Sequence, residues 1–270
     1  MKSDLNNSSE VEFANLTDVG CQRERNEDSS AYWQAESADD RDRRGRLAVV
    51  ADGMGGYEGG EEASRIAVQT VCDVYADSSG TPQARLLDGL LTAHGKIRDY
   101  ARQHPRFVGM GTTCTAASVA RSHLYFAHIG DSRLYLIREG KIRKLTRDHS
   151  YVGRLVESGL IAQDDAEAHP QRHILTAALG VGDEVSPDTP LHPVPLSPGD
   201  LLILCTDGLW GVLGDAELCE QVVDEPPMTA CRKLVALARD RGAPDNVTVQ
   251  VLRFSGNGMK RRISEATTAF

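Results

Sequence analysis

The sequence predicts an α+β fold, in which helices pack against a core of mostly antiparallel strands. Four short strand-like segments follow one another between residues 113 and 145. The links between them are two to three residues long, and such short links can join only antiparallel neighbours. Amphipathic helical patterns stand on both sides of this run, within residues 61–101 and 215–241, which favours α+β over a doubly wound parallel sheet.

Length and composition are those of a soluble globular protein, with one large domain or two small ones and no linker-like boundary. The chain has 270 residues, of which 40% are hydrophobic and 26% are charged. It contains no apolar run of 18 residues, and its first ten residues lack the hydrophobic region of a signal peptide. We therefore expect a cytoplasmic protein without a membrane anchor.

Charge and cysteine content exclude two classes of site. The net charge of −9 argues against general nucleic-acid binding and suits a site that concentrates cations. The six cysteines are at least twelve residues apart and form no CxxC pair, which argues against a zinc site. Cys72, Cys114 and Cys205 lie within apolar stretches and are interpreted as reduced core residues.

Three strands are predicted in the first fifty residues, at residues 11–19, 31–33 and 47–51. The third is a continuous apolar run, which is typical of a strand buried on both faces. Between the second and third strands, residues 35–45 carry mixed charge and are interpreted as a solvated loop.

A glycine-rich turn and two helices follow the third strand. Apolar residues recur at steps of three and four from Glu61 onward, which predicts a helix that packs one face on the preceding strand. A second helix begins at Pro82 and continues to Ala101, with His94 interpreted as a packed residue on its apolar stripe.

The second half of the chain adds a surface segment, two strands and two helices. Residues 148–170 are polar and contain one short helical pattern, which is typical of an excursion over the surface. Residues 1–10 and 255–270 are polar and are expected to be flexible. The remaining predicted elements are a buried strand at 200–206, helices at 215–223 and 228–241, and a last strand at 247–254.

Acidic residues stand at the ends of several predicted strands. Because side chains at one end of a sandwich can meet, these acids could form one cluster, although their separation along the chain leaves that open. Packed carboxylates would repel one another unless cations neutralised them, and an oxygen-only ligand set favours Mg²⁺ or Mn²⁺ over Zn²⁺. The acids are Glu27, Asp28, Asp52, Asp131, Asp207 and Asp245.

Eight short motifs resemble the metal-dependent protein phosphatases of type 2C in their bacterial form. They occur in the order of that family and span residues 18–251. The motifs are GCQRERNEDS, VADGMGG with the following GE.AS, MGTT, IGDSR, LTRDHS, HPQR.ILT.ALG, PGD.L.LCTDGLW and PDNVTV.

The resemblance implies a four-layer α-β-β-α sandwich, in which two antiparallel sheets lie between helix pairs. The catalytic domain would cover residues 11–254, with a flap segment at about residues 148–180. A binuclear metal centre would lie at one end of the sandwich, with two Mn²⁺ or Mg²⁺ ions per site and a third ion at a weaker site.

The resemblance also assigns metal ligands, residue by residue. Asp52 would bridge the two metals, and the Gly53 carbonyl would complete one of them. Asp207 and Asp245 would bind the other metal. The remaining assignments are Glu27 with Asp28, acting through metal-bound water, and Asp131, which would hold the third ion with Asp207 and the carbonyl of His173.

Arg23 matches the arginine with which the family binds phosphate, because a planar guanidinium can bond two phosphate oxygens at once. Arg25 is interpreted as a surface charge. The implied reaction is hydrolysis of phosphoserine and phosphothreonine on proteins by a metal-bridged hydroxide, with Asp52 and Arg23 as catalytic residues. Thr206 and Ser132 are interpreted as packing residues at strand ends.

Some relatives are thought to donate the leaving-group proton from a histidine two positions after the bridging aspartate. Here that position is Met54, and the next candidate position is Tyr57. A metal-bound water is therefore the expected acid.

Two other functions remain open at the level of sequence. A pseudophosphatase would bind phosphorylated segments without cleaving them, but it would be expected to lack ligand aspartates that are present here. A phosphatase of small-molecule phosphates would use the same site. The expected partners are phosphorylated proteins and an opposing Ser/Thr kinase, with no nucleic acid and no membrane, and the chain is expected to be a monomer.

Overall fold

Two antiparallel β-sheets lie face to face in the computed structural model, which describes residues 9–55, 59–162, 165–166 and 169–257. The first sheet has five strands. Their spatial order is β1 (Ser9–Asp18), β11 (Val247–Asn257), β10 (Leu201–Cys205), β7 (Arg133–Arg138) and β8 (Lys141–Lys144).

The second sheet has six strands, and all of its described pairings are antiparallel. The short strand β4 (Gly111–Thr112) pairs with the end of β3 (Arg46–Met54). The other five follow the order β2 (Asp28–Gln34), β3, β5 (Cys114–Ala120), β6 (His123–Ile129) and β9 (Val194–Pro195).

Helices cover the outer face of each sheet. The second sheet is covered by α2 (Gly59–Asp77) and α3 (Pro82–Gln103). The first sheet is covered by α6 (Asp215–Val222) and α7 (Pro227–Asp240). This arrangement confirms the predicted α+β class and the four-layer sandwich. The shorter helices are α1 (Ala38–Arg44), α4 (Tyr151–Glu157), α5 (Asp207–Trp210) and a 3₁₀ turn at Pro105–Phe107.

Three apolar layers hold the sandwich together. In β3, Leu47, Val49 and Ala51 pack toward α2 and α3, while Ala48 and Val50 pack between the sheets. Both faces of the strand are therefore buried, which explains its uninterrupted apolar sequence. Burial of each large aliphatic side chain contributes about 1.5–3 kcal/mol to folding.

The segment interpreted as a solvated loop between β2 and β3 contains a helix instead. The side chain of Ser37 caps α1 by accepting a hydrogen bond from the Asp40 amide at 3.0 Å. The Tyr75 hydroxyl on α2 donates a hydrogen bond to the carbonyl of Arg44, at the other end of α1. A local cap and a distant tyrosine thus stabilise a seven-residue helix that has no apolar stripe of its own.

Several smaller predictions can be compared with the structure. Cys114 and Cys205 are buried and Cys72 is partly buried, and all three are free thiols. His94 is buried in α3, where its Nδ1 accepts a hydrogen bond from the Gly180 amide at 3.1 Å. Among the described helices, none combines the length and the apolar character needed to cross a membrane.

The two end strands are longer than the sequence indicated. Strand β1 already begins at Ser9, and β11 continues to Asn257, where the two strands pair. The rest of the two termini predicted to be flexible, residues 1–8 and 258–270, lies outside the described residues.

His128 is a titratable group buried in the second sheet. Its Nε2 lies 3.0 Å from the Arg147 carbonyl, and its Nδ1 lies 2.8 Å from the Thr115 hydroxyl. Because a carbonyl can only accept, Nε2 carries the proton, and Nδ1 shares the hydroxyl proton of Thr115 with the Ser132 carbonyl, which lies 2.9 Å from the same hydroxyl. Burial, followed by the charge of His149, lowers the pKa of His128 to about 4.

The pKa of His128 predicts a loss of stability in mild acid. Unfolded His128 takes up a proton near pH 6.5, whereas the folded protein resists protonation down to about pH 4. The stabilisation is complete above pH 6.5 and is lost as the pH falls toward 4. Between pH 7 and pH 5, His128→Gln should therefore lose about 1–2 kcal/mol less than the wild type in the free energy of unfolding.

Urea unfolding at a series of pH values measures this difference. His123→Gln is the matched control, because His123 is exposed at the start of the same strand. If the free energy of unfolding depends on pH equally in the wild type and in His128→Gln, the prediction is wrong.

Candidate active site

The predicted acidic residues come together at one end of the sandwich. A cleft of about 680 Å³ opens there between the strand ends and the segment that precedes β9. Asp28 lies behind the cleft wall and is buried, with 8% of its surface exposed. The predicted residues that line the cleft directly are Arg23, Glu27, Asp52, Gly53, Asp131, Asp207 and Asp245.

Strand register places the first two acids side by side. In the antiparallel pair of β2 and β3, Asp28 stands opposite Asp52. One residue further on, the Gly53 amide donates a hydrogen bond to the Glu27 carbonyl at 3.1 Å. The ladder of the sheet therefore positions Glu27, Asp28 and Asp52 as one unit.

The backbone of Asp52 is held by two threonines of the neighbouring segment. The Asp52 carbonyl accepts from the Thr113 amide at 2.9 Å and from the Thr112 hydroxyl at 2.8 Å. The Asp52 amide donates to the Thr113 hydroxyl at 2.9 Å, and that hydroxyl also lies 2.7 Å from the hydroxyl of Ser132. Ser132 therefore supports the Asp52 position by hydrogen bonding, which the interpretation as a packing residue missed.

Thr206 has a similar role toward Asp28. Its hydroxyl donates to Asp28 Oδ2 at 2.8 Å, while Asp28 Oδ1 is buried without a hydrogen-bond partner. Burial is the main cause that raises the pKa of Asp28 to about 7, with the negative charges of Asp207 and Asp245 adding to it. Thr206 thus donates a hydrogen bond to a carboxylate of the site, a contact that its interpretation as a packing residue did not include.

Asp207 and Asp131 lie across the cleft from this pair of strands. Asp207 is the first residue of α5, and its Oδ1 is buried without a partner while its Oδ2 lies 3.4 Å from His173 Nδ1. Asp131 is 4% exposed, and its carbonyl accepts from Trp210 Nε1 at 3.0 Å. Burial, followed by the charge of Asp207, raises the pKa of Asp131 well above its ordinary value.

Arg23 forms an ion pair with Asp245. Its Nη2 donates to Asp245 Oδ2 at 2.7 Å, and 51% of its side chain is exposed at the cleft. The Asp245 hydrogen bond is the main cause that raises the pKa of Arg23. Arg25, in contrast, is exposed and is not part of the cleft wall.

Asn246 forms hydrogen bonds with four residues around the site, a role that the sequence did not indicate. Its Oδ1 accepts from the Glu27 amide at 2.8 Å, and its Nδ2 donates to the carbonyls of Val19 and Arg25. Its own amide donates to Asp245 Oδ1 at 2.8 Å. The PDN motif contained this residue, but nothing in the local sequence indicated which distant backbone groups it contacts.

Two glycines allow the end of β3 and the start of α2 to approach each other and Glu27 closely. A Cβ on Gly53 would lie 2.0 Å from the Gly60 carbonyl oxygen, and a Cβ on Gly60 would lie 2.6 Å from Glu27 Oε1. Larger residues at these two positions would push the strand end and the helix start apart. Tyr57, the second predicted position for a proton donor, lies outside the described residues, and Met54 lies at the cleft edge.

The electrostatics of the cleft favour binding of a divalent cation. Burial, followed by the charge of Asp28, raises the pKa of Asp52 well above its ordinary value, and burial also raises the pKa of Glu27. A cation would remove this repulsion and give the buried, unpartnered oxygens of Asp28 and Asp207 an electrostatic partner. Within the described residues, no three histidine, cysteine or acidic side chains already close on one point, so the carboxylates line an open cleft.

Sequence comparison places the chain among bacterial phosphatases. The family described as Protein phosphatase 2C matches residues 22–246. The chain is 35% identical to the serine/threonine phosphatase Stp of Listeria innocua, over 86% of this chain and 92% of that protein. It is 34% identical to protein phosphatase PhpP of Streptococcus pneumoniae, over 90% and 97%. The phosphatase PstP of Mycobacterium tuberculosis is 36% identical, and the match covers 89% of this chain but 44% of PstP.

Solved structures agree with the sequence matches. PstP/Ppp of M. tuberculosis superposes with a TM-score of 0.80 at 34% identity, covering 90% of this chain and 98% of that one. Stp1 from Staphylococcus aureus gives 0.80 at 30% identity, covering 95% and 100%. The PstP catalytic domain in complex with 2 manganese ions gives 0.78 at 33% identity, covering 90% and 98%. The chain therefore belongs to the protein phosphatase 2C family, the serine/threonine protein phosphatases that its motifs predicted.

Proposed function

We propose that the cleft removes phosphate from phosphoserine and phosphothreonine on proteins with the help of divalent cations. The observation that carries this proposal is the meeting of buried carboxylates, two of them with unpartnered oxygens, beside an exposed arginine in one open cleft. A surface that is open rather than enclosed can admit a phosphorylated side chain that projects from a protein.

The ligand set proposed for the cations is the one that the family resemblance implies, and its members line the cleft. Asp52 and the Gly53 carbonyl would hold one ion, and Asp207 and Asp245 would complete a second site, with Asp52 shared between them. Asp131 would hold a third ion together with Asp207. When bound, Mn²⁺ or Mg²⁺ supplies the Lewis acidity that activates water and neutralises negative charge on the phosphoryl group.

The chain's own residues keep this ligand set in place. Thr206 donates to one oxygen of Asp28, and the other oxygen is buried without a hydrogen-bond partner. Asn246 fixes the backbone of Glu27 and the carboxylate of Asp245 at the same time. Such partners orient acidic ligands before any ion arrives, which lowers the cost of binding it.

Arg23 is proposed to bind the substrate phosphate. In this structure its guanidinium is paired with Asp245, at the edge of the cleft. Arg23 would offer its fork to two phosphate oxygens when its Nη2 leaves the Asp245 carboxylate, which is also a proposed metal ligand. Met54 carries no transferable proton, so the proton for the leaving serine or threonine oxygen would come from water in the open cleft.

The segment predicted as a flap is proposed to contact the phosphoprotein. Arg172, His173 and Leu175 belong to it and line the cleft opposite Asp52 and Gly53. An opposing Ser/Thr kinase must supply the phosphorylated residues that this reaction consumes. The expected cytoplasmic location and monomeric state stay predictions.

Replacing the shared aspartate should abolish metal-dependent turnover. Wild-type protein should hydrolyse a phosphothreonine peptide only when Mn²⁺ or Mg²⁺ is present, and Asp52→Asn should lower the rate by at least about a thousandfold, because it removes the bridging charge. Asp88→Asn on the exposed face of α3 is the matched control and should keep full activity. Wild-type turnover that survives exhaustive chelation would overturn the proposed mechanism.

The two nearby arginines should differ in their effect on kinetics. Arg23→Ala should raise KM and reduce kcat/KM by an amount equivalent to about 2–4 kcal/mol, since it removes a bidentate phosphate contact. Arg25→Ala should change neither value appreciably. Steady-state kinetics on one phosphopeptide measures both variants, and the opposite ranking would place the phosphate-binding arginine two residues later in the chain.

The hydroxyl of Thr206 should matter for metal affinity more than for turnover. Thr206→Val keeps the side-chain shape but removes the hydroxyl that donates to Asp28 Oδ2, so half-maximal activity should require about 10–100-fold more Mn²⁺. The rate at saturating Mn²⁺ should fall much less. Thr189→Val, at an exposed threonine, is the control. An unchanged Mn²⁺ requirement in Thr206→Val would show that this hydrogen bond does not position the ligands.

A further inference from the structure

A second cavity, which we call the side groove, lies next to the catalytic cleft. It has a volume of about 490 Å³ and shares two wall residues, Met54 and Leu175, with the cleft. A peptide that places its phosphoresidue in the cleft would therefore have the side groove directly beside it. None of the six acids assigned to the metal site lines the side groove.

The floor of the side groove is apolar and partly exposed. Val181 is 46% exposed, although it stands in a concave surface made of other apolar side chains. Such exposure is unfavourable in water unless a ligand covers the surface at some stage. The apolar wall consists of Met54, Leu175, Ala177, Ala178, Val181 and Val185.

The side chains of Met54 and Val181 both lie close to Gly111. A Cβ on Gly111 would lie 2.8 Å from Val181 Cγ2 and 2.9 Å from Met54 Cε. Both side chains thus occupy space that any other residue at position 111 would fill. The absence of a side chain at this one position lets the two apolar groups form a continuous floor.

Backbone hydrogen bonds hold the segment that carries Val181. The Leu179 amide donates to the Thr112 carbonyl at 2.9 Å, and the Thr112 amide donates to the Leu179 carbonyl at 3.0 Å. The same Thr112 hydroxyl bonds the Asp52 carbonyl at 2.8 Å. The side groove is therefore fixed relative to the catalytic aspartate, and a ligand pays little ordering entropy to use it.

Charges of both signs line the rim. Arg154 and Glu184 are exposed on the wall, while Asp148 is engaged in ion pairs with cations outside the groove. Arg147 is already engaged in ion pairs with Glu157 and Asp188, both at 3.1 Å. Since the rim has no dominant sign, the apolar floor is the feature that can discriminate between ligands.

We propose that the side groove binds an apolar side chain of the phosphoprotein substrate, roughly one to three residues from the phosphoresidue in an extended segment. This inference rests on the proposed phosphatase function and adds the sequence preference of the same site. The occupant is a segment of the substrate because the cavity continues into the cleft where the phosphate must lie.

The test compares pairs of phosphothreonine peptides, one pair for each position within three residues of the phosphothreonine, with leucine in one member of the pair and serine in the other. With Mn²⁺ present, wild-type kcat/KM at the preferred position should be about tenfold higher for the leucine peptide, the size expected for filling an apolar pocket. Val181→Asp should reduce that ratio to about one. Val108→Asp, at a valine that is 76% exposed and lines neither cavity, should keep the wild-type ratio.

An aryl phosphate separates failure of this inference from failure of the proposed function. If the wild type hydrolyses neither the aryl phosphate nor the peptides, the phosphatase proposal itself is wrong. If it hydrolyses all of them but shows no preference at any flanking position tested, the side groove does not bind substrate. Equal ratios in the wild type and Val181→Asp would overturn the inference in the same way.

A measurement without turnover covers the case in which Val181→Asp does not fold. A peptide with a phosphonate in place of the phosphate and photo-leucine at the preferred position should crosslink wild-type protein at Met54, Leu175, Val181 or Val185. Crosslinks outside the side groove would refute the proposal. A solution dimer that disappears in Val181→Asp would also refute it, because a second copy would then cover the groove.

Discussion

Repulsion among buried carboxylates is the constraint on which the functional end of this molecule depends. Burial raises the pKa values of Asp28, Asp52 and Asp131, and the charges of neighbouring acids raise them further, while Arg133 offsets part of this shift for Asp131. Hydroxyl and amide donors partly offset the free-energy cost of burying these charges, as Thr206 does for one oxygen of Asp28. A divalent ion would offset the repulsion that remains, so the proposed metal site and the repulsion among these acids have the same origin.

The sandwich supplies the rigidity that such a cluster needs. Strands β3 and β10 are buried on both faces, against helices on one side and against the opposite sheet on the other. Their ends can hardly move without disturbing two apolar layers, and Asp52 and Asp207 stand at those ends. Close packing in the core therefore fixes the distances between acids that repel one another. Asn246 holds the neighbouring loops in place through hydrogen bonds to three backbone groups and to the Asp245 carboxylate.

Chemistry and recognition are carried by different surfaces that meet at Met54. On one side of this residue lie the acids and Arg23, and on the other lies the apolar side groove. Thr112 bonds both the Asp52 carbonyl and the Leu179 backbone, so the two surfaces share one support. A substrate that filled both would be aligned by apolar contact on one side of its phosphate and by charge on the other.

Hydrophobic periodicity and short motifs are local signals, so the fold class, the buried strands and the candidate acids could be predicted from the sequence. It missed helix α1, whose stability comes from a cap and from Tyr75 on a distant helix. Only the folded chain shows that Thr206 donates to the Asp28 carboxylate and that Ser132 supports the Asp52 backbone through Thr113. The same holds for the ion pair of Arg23 with Asp245 and for the approach of Met54 and Val181 to Gly111. These contacts join residues that are between 19 and 222 positions apart in the chain. A local sequence pattern carries no information about which distant groups come together in the fold.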